Sequence, residues 1–183
     1  MTEARAAEIA KYSVQYKAAS YKLGKTRERE IQRVFKHLSP RGTVLDVGTG
    51  RGETLTIAKA HGFTARGTEV VPYLLKPGVV EYAEAHNLPY ADNAFDHVTC
   101  FDVLEHLLME DIRPALLEFA RVAKYSVTVS AAVKSHKVDG VELHVSAMPM
   151  EDWHCLITET WSFYDAYRHG NGGVYSGCWQ MRK

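Results

Sequence analysis

The chain has 183 residues, 46% of them hydrophobic and 24% charged, with a formal net charge of zero. This suits one globular domain with a real core. No apolar run reaches membrane-spanning length, and Met-Thr-Glu-Ala-Arg lacks the hydrophobic segment of a signal peptide, so the cytoplasm is the expected compartment. Three cysteines, far apart and without a Cys-x-x-Cys, argue against both a disulfide framework and a zinc site, and no metal is expected. The charge is unevenly spread. Residues 1–41 carry ten Lys/Arg against four Asp/Glu, and residues 42–183 twelve against eighteen. A zero total argues against tight non-specific nucleic-acid binding, while the basic front segment keeps an RNA or nucleotide partner open as an alternative.

In chain order, residues 3–20 place Ile9, Tyr12, Tyr16 and Ala19 at helical spacing, which predicts an amphipathic helix with an aromatic inward face. Tyr21 and Gly24 mark a break. A second helix is expected over 26–37, with Thr26 as N-cap and Ile31, Val34, Phe35 and Leu38 inward, ending at Ser39-Pro40-Arg41-Gly42. Val44, Leu45 and Val47 read as a strand buried on both faces. Gly48, Gly50 and Gly52 follow at alternate positions, and from Glu53 the pattern turns helical. A strand feeding a glycine turn and a helix N-terminus is a nucleotide-type binding site. Asp46, a carboxylate at the end of a buried strand, needs a partner, and a ligand ammonium would be one.

Residues 63–69 are the second strand and 79–83 a short third. Residues 95–102 are the fourth, and 107–124 a helix in which Pro114 is expected to separate a short turn from the main body. Residues 125–133 are the fifth strand, and 134–148 a loop without period. A helix follows over 149–158, then two strands over 161–167 and 174–181 joined by a hairpin turn at 169–173. Alternating strands and helices predict a doubly wound, mainly parallel α/β sheet.

Over residues 40–181 the sequence resembles the class I S-adenosylmethionine-dependent methyltransferases. Four segments carry the resemblance: Val-Leu-Asp-Val-Gly-Thr-Gly-Arg-Gly at 44–52, Glu69 seventeen residues later, Leu-Pro-Tyr-Ala-Asp-Asn-Ala-Phe-Asp at 88–96, and Phe-Asp-Val-Leu-Glu-His-Leu at 101–107. It implies a Rossmann-like sheet of seven strands, order 3-2-1-4-5-7-6 with strand 7 antiparallel. It implies S-adenosyl-L-methionine as cofactor, with Asp46, Gly48, Thr49, Gly50 and Gly52 at the methionine end, and Glu69 and Val70 at the ribose. Glu84 and Ala85 align with the family's adenine contact, although the family has Asp where this chain has Glu84. Asp102 would lie beside the methyl donor.

Residues 1–40 are expected as a helical lid on the 41–183 core of a single domain. There Tyr16 and Tyr21, with Tyr12 and Arg27, would reach the cofactor. His144, His106 and Asp102 are the candidate catalytic groups, and His136 a weaker one. The expected activity is methyl transfer to oxygen or nitrogen of a small-molecule acceptor. The alternatives are an RNA or nucleotide methyltransferase and a non-catalytic cofactor-binding subunit. The Asn/Asp-Pro-Pro-Tyr/Phe of DNA amino-methyltransferases is replaced here by Phe101-Asp102-Val103-Leu104.

Overall fold

The computed structural model describes residues 2–17, 23–161, 165–169 and 176–182. Two helices, α1 (Glu3–Gln15) and α2 (Lys25–His37), precede the alternating part. Then come β1 (Thr43–Val47), α3 (Glu53–Ala60), β2 (Thr64–Glu69), β3 (Val80–Tyr82) and β4 (Phe95–Cys100). These are followed by α4 (Met109–Val122), β5 (Ala123–Ala132), a two-stranded hairpin of β6 (Lys137–Val138) and β7 (Val141–Glu142), α5 (Met150–Thr160), β8 (Asp165–His169) and β9 (Ser176–Arg182).

Seven strands form one sheet in the order β3-β2-β1-β4-β5-β9-β8. Pairing is parallel from β3 through β5, and β9 runs antiparallel to both β5 and β8. This is the expected 3-2-1-4-5-7-6 order with an antiparallel seventh strand. The strand period of two splits β1 between two cores. Leu45 and Val47 face a cluster with α4 and α5, in which Trp153 and Trp161 are wholly buried. Val44 faces a second cluster with Ile31 and Phe35 of α2 and Leu55 and Ala58 of α3. Each buried indole keeps its N–H satisfied: Trp153 Nε1 donates to Ala132 O at 3.1 Å and Trp161 Nε1 to Leu116 O at 3.0 Å.

Several expectations need correction. The second helix starts one residue early, with Gly24 rather than Thr26 at the N-cap and no side-chain cap bond. Thr26 lies inside the first turn, so its hydroxyl is not placed to cap. Pro114 does not divide its helix: α4 runs unbroken from Met109 through it. As the sixth residue of α4, Pro114 removes one helical hydrogen bond, and the helix continues through it. The short turn is instead a 3₁₀ segment at Leu104–His106. The 134–148 loop contains the β6–β7 hairpin, turned by Asp139 (φ 50°) and Gly140 (φ 80°). Two consecutive positive φ angles match the twist of paired strands. The first helix ends at Gln15, short of the expected 20, and His169 of the expected 169–173 turn belongs to β8; residues 18–22, with Tyr21, and 170–175 lie outside the described residues.

Candidate active site

A cleft of about 270 Å³ opens where the C-terminal ends of β1, β2 and β4 meet α1 and α2. The sheet order reverses between β1 and β4, and open α/β sheets bind ligands at such a point. The turn after β1 is pinned to β2. Gly48 N and Thr49 N both donate to Thr68 O, at 2.9 and 3.0 Å, and Gly50 N donates to Glu69 Oε2 at 2.9 Å. Gly50 has φ +55°, and a Cβ there would lie 2.6 Å from the Tyr16 hydroxyl. The glycine thus serves both the left-handed backbone and the close approach of Tyr16.

Glu69 is the cleft's buried carboxylate. Its Oε1 accepts from Val70 N (2.8 Å) and Val71 N (3.1 Å). Burial raises its pKa, against the lowering effect of these amides and of Gly50 N. Asp46 lies behind the turn rather than among the lining residues. Its Oδ1 accepts from Thr99 Oγ1 at 2.6 Å, its neighbour in register on β4. Burial pushes its carboxyl up to about 7, although the Thr99 hydrogen bond opposes the shift.

Gly67 is the register partner of Asp46 on the other side, on β2. A Cβ on Gly67 would lie 2.5 Å from Thr49 Cγ2 and 2.8 Å from Thr49 Cβ. The glycine turn therefore rests on a fourth glycine contributed by the second strand. Sequence reasoning missed it, because a lone glycine in a strand carries no spacing signal.

The opposite wall follows β4. Asp102 adopts φ 56°, its N–H donates to Ser130 Oγ (3.0 Å), and its carboxylate receives two bonds from Arg27, Nε at 2.8 Å and Nη2 at 2.7 Å. Arg27 also donates to Glu30 Oε2 at 2.5 Å. His106 Nδ1 lies 2.9 Å from Leu143 O and 2.5 Å from the Tyr12 hydroxyl, which itself donates to Leu143 O at 2.7 Å. A carbonyl only accepts, so Nδ1 carries the proton. Burial pushes the His106 pKa down to about 4, leaving the ring neutral at pH 7. His144 packs edge-on against it, ring centroids 4.8 Å apart, and its Nδ1 lies 2.7 Å from Lys134 O.

The cleft thus brings together Gly48, Thr49, Gly50, Glu69, Val70, Glu84, Ala85, Asp102, His106, Tyr12, Tyr16 and Arg27. Gly52 shapes the turn (φ +90°) without lining the cleft, and His144 stands behind His106. Beside Ala85, His86 also lines the wall, its Nε2 3.5 Å from Glu84 Oε2. The sequence reading missed Arg5, which forks onto Asp111 with Nε at 2.8 Å from Oδ2 and Nη2 on Oδ1. The partners are 106 residues apart, beyond any local pattern.

A methyltransferase-domain profile matches residues 45–130, which span the glycine turn, Glu69 and the β4 corner. Over these residues the chain carries a methyltransferase domain, and its sheet order is the one that the sequence resemblance to class I S-adenosylmethionine-dependent methyltransferases implies. Among curated protein sequences, none matches it. Solved structures are similar in fold at low identity. The 1,6-didemethyltoxoflavin-N1-methyltransferase of Burkholderia thailandensis, solved with 1,6-didemethyltoxoflavin and S-adenosylhomocysteine, is 16% identical over 99% of this chain and 89% of its own, with a TM-score of 0.72. The sugar N-methyltransferase KedS8 of Streptoalloteichus sp ATCC 53650 is 15% identical over 94% and 92%, TM-score 0.68. A putative methyltransferase of Haloferax volcanii, in complex with the Trm112 methyltransferase activator, is 12% identical over 96% and 95%, TM-score 0.66.

The sequence resemblance implies S-adenosylmethionine as the cofactor. The donor set fits it. Glu69 offers a carboxylate to vicinal hydroxyls, the glycine turn leaves room for close backbone approach, and Thr49 Oγ1 is buried there without a hydrogen-bond partner. Among the described residues no helix is long and apolar enough to cross a membrane.

Proposed function

We propose that this methyltransferase transfers a methyl group to oxygen or nitrogen of a small-molecule acceptor, by direct displacement at the methyl carbon. The observation that carries the reading is the cover over the cleft. Tyr12 and Tyr16 of the first helical segment lie against the site, Tyr12 on Leu143 and Tyr16 over Gly50. A covered cleft of this size suits a small acceptor better than a polymer. Two of the cleft's arginines are paired with acids, Arg5 with Asp111 and Arg27 with Asp102 and Glu30, and Arg51 donates to Tyr16 O, which weakens the case for a phosphate backbone. The toxoflavin-precursor and sugar N-methyltransferases of similar fold act on small molecules, which is in keeping with this reading.

In this proposal, residues 48–52 and Glu69 hold the methionine and ribose parts of the cofactor, with Val70 beside the ribose. Glu84 and Ala85 border the adenine. Asp46 acts from behind, as the buried carboxyl group under the turn. The cofactor supplies an electrophilic methyl group, and the protein's task is positioning and exclusion of water. Asp102, fixed by Arg27 and Ser130, orients the reacting end. His106, neutral and donating through Nδ1, positions the wall rather than taking a proton, since a group titrating near 4 is a weak base at pH 7. His144 is the remaining candidate for acceptor contact. Of residues 1–40, expected as a lid on the 41–183 core, α1 is the part that opens: it fully buries none of its residues and is held by polar contacts, whereas α2 packs Ile31 and Phe35 into the core.

Two measurements test the reading. Calorimetry with S-adenosylmethionine should give micromolar binding that falls at least tenfold in Glu69→Ala; unchanged affinity overturns the site. Release of S-adenosylhomocysteine should then be followed with fractionated small metabolites and with total RNA. Turnover with RNA alone favours the nucleic-acid alternative, and binding without turnover on any fraction favours the non-catalytic subunit.

A further inference from the structure

We propose that Glu105, His106 and His144 form a binding site for a divalent transition-metal ion in the wall of the cleft. One donor atom from each of these three residues lies within 4.8 Å of the other two. Tetrahedral ligands about 2.1 Å from an ion sit roughly 3.4 Å apart. Modest side-chain rotation closes that difference.

Three observations favour an ion over a self-sufficient polar cluster. Glu105 is 1% exposed, and its Oε2 is buried with no hydrogen-bond partner. A carboxylate oxygen left so is costly unless something cationic faces it. Neither imidazole fills that role, since among the described residues no hydrogen bond joins Glu105 to His106 or His144. The tautomers also match. His106 Nδ1 is committed to Leu143 O and His144 Nδ1 to Lys134 O, so each ring keeps its lone pair on Nε2. A ligating histidine normally donates its other N–H to a backbone carbonyl or carboxylate, which is the arrangement found twice here.

The scaffold is also built to hold the set. Ser146 N donates to Glu105 O at 3.0 Å and Ser146 Oγ to Leu107 O at 2.7 Å, so the segment bearing His144 is latched to the turn bearing Glu105 and His106. Leu143 N donates to His136 O at 2.8 Å, and the His136 ring stacks 5.3 Å from His144 as a further imidazole nearby. Two imidazoles and a carboxylate suit zinc, cobalt or ferrous iron rather than calcium or magnesium. Three protein ligands leave a coordination position open. Because His106 lines the cleft, an ion held here sits at the cleft wall. If the acceptor presents a hydroxyl, which rests on the proposed function, a Lewis acid there would favour its deprotonation.

The test is cobalt titration of metal-stripped protein without S-adenosylmethionine, read by visible absorption and by competition with zinc. Wild type should give a saturable one-to-one spectrum that zinc abolishes. His144→Ala, a change in a partly exposed loop residue, should weaken cobalt binding at least tenfold, and Glu105→Gln should do the same. Cys155→Ser should leave it unchanged. A wild-type protein without a saturable spectrum, or a His144→Ala variant binding within twofold of wild type, overturns the site. S-adenosylmethionine binding, measured on the metal-free protein, reports separately on the cofactor site.

Discussion

Arg27 grips both carboxylate oxygens of Asp102, Nε to Oδ2 at 2.8 Å and Nη2 to Oδ1 at 2.7 Å, and so ties α2 to the corner that follows β4. The two residues are 75 positions apart and meet at the wall of the cleft. Only a planar guanidinium can make this fork. Arg27→Lys keeps the charge and loses the second bond. The loss of stability should be small, roughly 1 kcal/mol or less, because the Asp102 side chain is 40% exposed and solvent screens the pair. The catalytic effect should be larger: turnover should fall at least tenfold once an acceptor is in hand, with the melting temperature nearly unchanged. Equal turnover in Arg27→Lys and wild type would remove Asp102 from the positioning role.

Gly67 tests whether the second strand supports the glycine turn. A methyl group at this position would meet Thr49 at 2.5 Å, and Thr49 N is itself tied to Thr68 O. The neighbour is a side chain branching directly off the turn, so it can give way only by moving the turn. Gly67→Ala should cost about 1–3 kcal/mol in denaturant unfolding and weaken S-adenosylmethionine binding by more than tenfold. Gly62→Ala is the contrast: nothing lies within 4 Å of a Cβ there, so it tests backbone conformation (φ +84°) without crowding the site. It should lower stability while leaving cofactor affinity intact.

The parts of this fold that were legible are those whose physics is local. Val44 to Val47 must be buried on both faces, and the alternate glycines at 48–52 must turn, so the turn that lines the cleft could be read directly. Helix ends were less legible. Thr26 has capping chemistry, but α2 begins at Lys25 because Gly24 supplies the extended N-cap. Pro114 has breaking chemistry, but α4 continues through it, packed by buried Ile112, Ala115 and Leu116 on either side. The Asp139-Gly140 pair was a hairpin signal available in the sequence, obscured by two-residue strands too short to show alternation. The pairs that define the far wall, Arg5 with Asp111 and His106 with Leu143, join distant segments. No periodicity announces such contacts.

Tyr12 links α1 to that far wall. Its hydroxyl reaches both Leu143 O (2.7 Å) and His106 Nδ1 (2.5 Å), and its ring stands edge-on to the imidazole at 4.7 Å. Tyr12→Phe keeps the ring contact and removes the hydroxyl. His106 Nδ1 still has Leu143 O, so no buried donor is stranded and the stability cost should be about 1 kcal/mol or less. The lid reading predicts a different signature in dynamics. Amide exchange should quicken across residues 3–15, with little change in β1 or β4, and the S-adenosylmethionine off-rate should rise. Uniform exchange across the molecule would mean that α1 opens only with global unfolding.

Asp46 gives the pH dependence. Its carboxyl titrates at about 7 in the folded protein, above the ordinary value of 3.8, because burial disfavours the charged form. The folded state therefore binds the proton more tightly than the unfolded chain between these values. Its contribution to stability is present in full below pH 4, is lost as the pH rises through 7, and is then constant. The difference of about three pH units corresponds to roughly 4 kcal/mol as an upper bound. Glu69 is shifted in the same direction, so wild type alone would not isolate Asp46. The comparison with Asp46→Asn does, since the amide oxygen can still accept from Thr99 Oγ1. In cofactor-free protein, the stability of Asp46→Asn relative to wild type should improve from pH 5 to about pH 7 and level off above it in urea denaturation. A pH-independent difference between the two would mean that Asp46 is charged throughout, held by a cation or water beneath the glycine turn.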